Sequence, residues 1–137
     1  MDDVEEIKKL KARYFRSLDS QDWETYAGVF AEDCVVDLRR AHGELYNGRE
    51  EFAAYARSLT FVQSVHHGHM PEIEITSPTT ARGIWAMQDF LKMPEGSPLG
   101  FKSLVGWGHY TETYELVDGE WKIKTLVLTR LRRDVEV

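Results

Sequence analysis

The chain has 137 residues, 42% hydrophobic, 12% aromatic and 29% charged, the balance of one soluble globular domain. Its 17 Lys and Arg against 23 Asp and Glu leave a formal net charge of -6, which argues against a general nucleic-acid surface, because phosphate binding needs a clustered positive field. Cys34 is the only cysteine, which excludes an internal disulfide or thiolate zinc site; no apolar run reaches the ~20 residues of a membrane span, and the acidic start MDDVEEIKK is unlike a secretory signal, so a cytoplasmic location is expected.

From Asp2 to about Ser20, apolar residues at Val4, Ile7, Leu10, Tyr14, Phe15 and Leu18 predict an amphipathic helix, with acids at its start and Lys8, Lys9 and Lys11 further along, as the helix dipole favours. Asp22-Trp23-Glu24 predicts a cap and a short second helix through Tyr26, Val29 and Phe30, ended by Asp33. Cys34 to Leu38 reads as a strand, His42-Gly43 and Asn47-Gly48 as turns, and Gly48 to Leu59 as a third helix. Four β-rich stretches follow: Val62 to Ile75, Thr80 to Lys92, Phe101 to Val117 and Trp121 to Leu131. Three helices before a long antiparallel meander predict an α+β fold, with the helices gathered on one side of a curved sheet. No repeat or domain boundary interrupts the chain, so residues 1–137 are expected to form one domain. The basic residues Arg39-Arg40 and Arg130, Arg132 and Arg133 read as solvated strand ends.

Three of the five histidines lie within four residues, in Val65-His66-His67-Gly68-His69-Met70-Pro71-Glu72-Ile73. Imidazole titrates near neutral pH and serves as acid, base or ligand, so this density marks a candidate site; the plain alternative is a polar edge strand. In a strand, His67 and His69 share a side and, with Glu74, could supply two imidazoles and a carboxylate to a metal. The competing reading uses one histidine, His66 or His69, as a general acid or base in a pocket with no metal. Strict alternation groups His67 and His69 with Ile73 and Ile75, so His66 shares their face only if a bulge at Pro71 resets the register.

Asp89 is the second unusual residue. It shares a strand face with Ala81, Gly83, Trp85, Met87 and Leu91, and a carboxylate there needs a partner or a proton, unless the strand has already left the covered part of the sheet. Asp19 lies at the border of the core-facing helical stripe beside Tyr14, where the plain reading is a helix terminator or the next cap. His109 follows two glycines in Gly106-Trp107-Gly108-His109-Tyr110, and glycines within a strand mark a bend or a close approach. No glycine-rich phosphate loop, G-x-S-x-G or H-E-x-x-H motif occurs.

The element order, with the segments Arg13-Tyr14-Phe15-Arg16-Ser17-Leu18-Asp19, His66 to Ile73 and Trp85-Ala86-Met87-Gln88-Asp89, resembles the nuclear-transport-factor-2-like superfamily. The similarity is to its SnoaL-like branch, which includes scytalone dehydratase and the bile-acid 7α-dehydratase. The resemblance implies a cone-shaped α+β barrel and a cofactor-independent, metal-independent elimination of water, with Tyr14, Asp19, His66 and Asp89 as catalytic residues. It departs from scytalone dehydratase at Asp89, where that enzyme has a histidine, and at Leu38, where it has a second tyrosine.

The function expected is therefore that of a lyase acting on a hydroxylated, carbonyl-bearing cyclic molecule, steroid or polyketide-like. His66 would remove the proton beside the carbonyl, Asp19 or Asp89 would orient the imidazole, and Tyr14 would hydrogen-bond the enolate. Phe30, Trp85, Met87, Trp107 and Tyr110 would form the pocket wall, with His69 and His109 as secondary binding residues. The alternatives are an isomerase or cyclase with an aspartate base, or a non-catalytic ligand-binding protein similar to the small subunits of ring-hydroxylating dioxygenases. No nucleic-acid or membrane partner is expected, and the resemblance implies a homo-oligomer, trimer or dimer.

Overall fold

The computed structural model describes residues 2–137. Helix α1 (Asp3–Ser20) begins where the Asp2 carboxylate accepts the Val4 N–H at 3.0 Å and ends at Gln21 in the left-handed conformation. Helix α2 (Trp23–Gly28) is capped by Asp22, which accepts from the Thr25 N–H. Strand β1 (Phe30–Asp37) follows at once, so Phe30 opens a strand where helical spacing placed it in α2: its backbone is registered against Ile123, and tertiary pairing overrides local propensity. A 3-10 turn (Arg39–Ala41), the short strand β2 (Leu45–Asn47) and helix α3 (Arg49–Ser58) lead to four long strands, β3 (Gln63–Ser77), β4 (Thr80–Lys92), β5 (Ser103–Val117) and β6 (Glu120–Glu136).

The strands form one six-stranded sheet in the order β2-β1-β6-β5-β4-β3. β3 to β6 make the expected antiparallel meander, but β1 lies parallel to β6, so the sheet is mixed. A parallel pair needs a long crossover, and everything between β1 and β6 supplies it. Register shifts between His69 and Glu72 and between Trp107 and Gly108 bend the long strands, and the sheet curves around α1. Among the described residues no helix is long and apolar enough to cross a membrane.

The core lies between the helices and the concave face, where Ile7, Leu10 and Tyr14 of α1 meet Tyr26, Phe30 and Phe52 on one side and Tyr110, Tyr114 and Ile123 on the other. Gly68 lets α1 settle onto β3: a Cβ there would lie 2.6 Å from the Phe15 ring. Lys11 departs from expectation. It sits on the buried Ile7–Tyr14 stripe, its side chain is 0% exposed, and its ammonium donates at 2.5 Å to the equally buried Glu112. Glu112 also accepts from the Tyr114 hydroxyl at 2.6 Å, and Tyr114 accepts from Trp85 Nε1 at 2.9 Å.

Removing one member of a buried ion pair strands the other, at about 3–5 kcal/mol, whereas removing both is far closer to neutral. Lys11→Met is expected to lower the urea midpoint strongly, and adding Glu112→Gln to recover most of the loss. An equal or larger loss in the double variant would show that the pair itself holds the fold.

Candidate active site

The last turn of α1 lies beside β3, and Asp19 faces the strand. Its carboxylate accepts three hydrogen bonds, from the Ser64 hydroxyl at 2.9 Å, the His66 N–H at 2.7 Å and His66 Nδ1 at 2.7 Å. Helix termination and capping fall to Gln21 and Asp22 instead, and the Gln21 side chain donates to the Thr60 and Val62 carbonyls, tying the helix end to the start of β3. Because carboxylate oxygens only accept, the shared hydrogen belongs to Nδ1, and in the neutral ring Nε2 carries the lone pair.

Nε2 lies 3.9 Å from Oδ2 of Asp89, the residue opposite His66 in the β3–β4 register. Asp89 is 3% exposed. Its countercharge is Arg130 of β6, whose two terminal nitrogens donate to the two carboxylate oxygens at 2.8 and 2.9 Å. Burial tends to lower the Arg130 pKa, but Asp89 outweighs it and holds the guanidinium above its ordinary value. Gly106 lies between them: a Cβ there would strike both the guanidinium and the Asp89 carboxylate. Gly108 likewise leaves room for the Thr129 carbonyl where β6 bulges.

These groups line a cavity of ≈190 Å³. Tyr14, Tyr26, Tyr110, His66, Asp89 and Arg130 supply its polar wall, and Leu18, Trp23, Leu38, Phe52, Leu59, Leu91, Leu99 and Leu128 its apolar one. Burial raises the pKa of Tyr14, Tyr26 and Tyr110 well above the ordinary phenol value, and Asp89 at Tyr110, neighbouring phenols and Glu112 add to the rise, so all three keep their hydroxyl hydrogens.

Of the residues singled out from sequence, Tyr14, His66, Asp89 and Tyr110 face this cavity, and Asp19 stands behind His66. Phe30, Trp85 and Met87 belong to the core behind the wall. Trp107 and His109 lie on the outer face, because β5 turns Gly106, Gly108 and Tyr110 inward. His69 also points outward with His67, their rings 6.2 Å apart, and Glu74 is paired with Arg82 at 2.6 Å, so the H-x-H residues do not converge. Among the described residues no group of three His, Cys, Asp or Glu is placed to hold a metal ion. The register shift beyond His69 brings Ile73 onto the face of His66, as a bulge at Pro71 would require, with Met70 at φ 39°.

Arg130 corrects the expectation of a solvated strand end. Its side chain is 12% exposed against 70% for Arg132. Alternation on β6 places Arg130 with Leu126 and Leu128 on the inner face, the signal that could have found it, since a buried carboxylate on β4 demands a cation.

The SnoaL-like domain family matches residues 1–127. The chain belongs to that family. The SnoaL-like fold is shared with a candidate scytalone dehydratase from Novosphingobium aromaticivorans, at TM-score 0.85 and 25% identity over 96% of this chain and 86% of that one. A hexachlorocyclohexane dehydrochlorinase, LinA type 2, superposes at TM-score 0.85 with 20% identity, covering 98% and 89% of the two chains, a likeness of fold. The probable cyclase FGR4 of Gibberella zeae is 23% identical over 91% of this chain and 89% of its own. These neighbours support a SnoaL-like enzyme that converts a small molecule.

Overpacking a strained buried site costs about 1–3 kcal/mol. Gly106→Ala is expected to lower the unfolding midpoint accordingly, while Gly28→Ala, whose Cβ meets nothing within 4 Å, leaves it unchanged or raised. Equal behaviour of the two variants in urea would mean that the Asp89–Arg130 pair tolerates displacement.

Proposed function

We propose that the cavity carries out elimination of water from a hydroxylated ring that bears a carbonyl, without a cofactor. The observation that carries this reading is the His66 imidazole, fixed through Nδ1 by Asp19 with Nε2 free beside a buried, fully paired Asp89. Nε2 removes the proton on the carbon next to the carbonyl, the C–H electrons move into an enolate, and the Tyr14 hydroxyl donates to the enolate oxygen. As the enolate collapses, the C–O bond breaks, and the imidazolium returns its proton to the departing hydroxyl as water. The negative Asp19 and Asp89 flank the imidazolium and stabilise it during its lifetime.

An aspartate base, as an isomerase or cyclase reading would require, is disfavoured. Both Asp89 oxygens are engaged by Arg130, and Asp19 already accepts three hydrogen bonds. A passive binding pocket has no need of a buttressed histidine and a buried ion pair together. The volume of ≈190 Å³ lies below the ~300–1,000 Å³ of drug-sized ligand sites and favours a substrate of one or two fused rings over a steroid.

A panel of mono- and bicyclic hydroxy-ketones, followed by mass spectrometry for water loss, tests the reading. His66→Gln is expected to lower turnover by about 10²–10⁴-fold with the unfolding midpoint retained. Undiminished turnover in that variant would remove His66 from the chemistry.

A further inference from the structure

We propose that Lys11, which does not reach the cavity, is a positioning residue that strengthens Tyr14 as a hydrogen-bond donor by holding an ammonium against the faces of the two cavity tyrosines. Its Nζ lies 3.6 Å from the centroid of the Tyr14 ring and 3.6 Å from that of Tyr110. Both rings turn toward the cavity, and their centroids are 5.7 Å apart in an edge-to-face arrangement. A cation on the face of a phenol stabilises the phenolate over the phenol and so polarises the O–H bond toward an acceptor, and burial makes the effect larger than in water.

The arrangement around Lys11 keeps its charge in this place. Glu112 accepts from the ammonium and from the Tyr114 hydroxyl, and that hydroxyl in turn accepts from Trp85 Nε1. The ammonium is the charge in contact with the ring faces. The other groups about Tyr14 are Tyr26 from α2, Tyr110 and Glu112 from β5, and, around the shared cavity, His66 from β3, Asp89 from β4 and Arg130 from β6. Burial first, then Tyr110 and Glu112, raise the Tyr14 pKa, and the ammonium against the ring face acts in the opposite sense. Burial also pushes the Lys11 ammonium down to about 8, with Glu112 drawing it back up, so the cation is present at neutral pH and is lost in mild alkali.

The catalytic consequence rests on the elimination proposed above; the electrostatic one does not. Difluorotyrosine placed at position 14 reports on the phenol through its ¹⁹F shift, read at neutral pH with no substrate present. In the Lys11→Met/Glu112→Gln double variant, compared with the parent at a pH of about 7 where the ammonium is present, the ¹⁹F shift is expected to change and turnover to fall about tenfold through kcat with KM little changed. An unchanged ¹⁹F shift overturns the assignment and leaves Lys11 a structural residue.

A second measurement needs no change at Lys11. With 4-fluorophenylalanine at position 14, which cannot titrate, the ¹⁹F signal is expected to step at a pH of about 8 as the ammonium is lost. A signal flat from about pH 7 to about pH 10 contradicts the proposal even where the double variant fails to fold. Absence of turnover in the parent protein counts against the elimination alone, because both fluorine readouts are independent of it.

Discussion

A carboxylate on the inner face of a curved sheet sets the terms for this cavity. Asp89 lies toward the end of β4 on the face of Trp85, Met87 and Leu91, where an unpaired charge would cost several kcal/mol. One guanidinium answers it with two parallel hydrogen bonds, from a strand two places away in the sheet. That reach is possible because the intervening strand presents Gly106 at the crossing point. The pair gives the cavity a fixed polar floor, and Nε2 of His66 faces it.

The opposite wall is a single helix. On α1 the residues that meet the sheet follow the three-and-four spacing: Ile7, Lys11, Tyr14, Leu18 and, at the edge, Phe15 and Asp19. Core packing, a buried charge, a donor hydroxyl and the orienting carboxylate therefore move as one rigid element. Seating the helix depends on β3 having no side chain at Gly68, where Phe15 crosses the strand. Stability and site geometry are coupled at this contact: a helix displaced from β3 loses apolar contact and the Asp19–His66 hydrogen bonds together.

Much of this was legible in the chain. The helical stripe, the strand alternation and the turn residues give the α+β order, and an acid on an apolar strand face flags Asp89 without any structure. The parallel β1–β6 pairing was not legible, since alternation along β1 says which face is buried and nothing of the direction of its neighbour. His66 could be chosen over His69 only by supposing a bulge at Pro71, which alternation alone opposes. Trp107 and His109 were misplaced for the related reason that two glycines in β5 suggest an open concave wall. Instead they leave room for Arg130 and for the Thr129 carbonyl, and Trp107 between them and His109 after them face outward. Lys11 and Arg130 were missed because lysine and arginine are read as solvated by default, although the same periodicities placed both on buried faces.

The chemistry assigned to His66 depends on where its hydrogen resides. Asp19 as acceptor fixes the proton on Nδ1, leaving Nε2 as the base toward the cavity. Long-range ¹H–¹⁵N correlation spectra of histidine-labelled protein, at a pH where the ring is neutral, read this directly. A His66 base predicts a protonated Nδ1 with an unprotonated Nε2. A neutral ring carrying its hydrogen on Nε2, directed at Asp89, would contradict it.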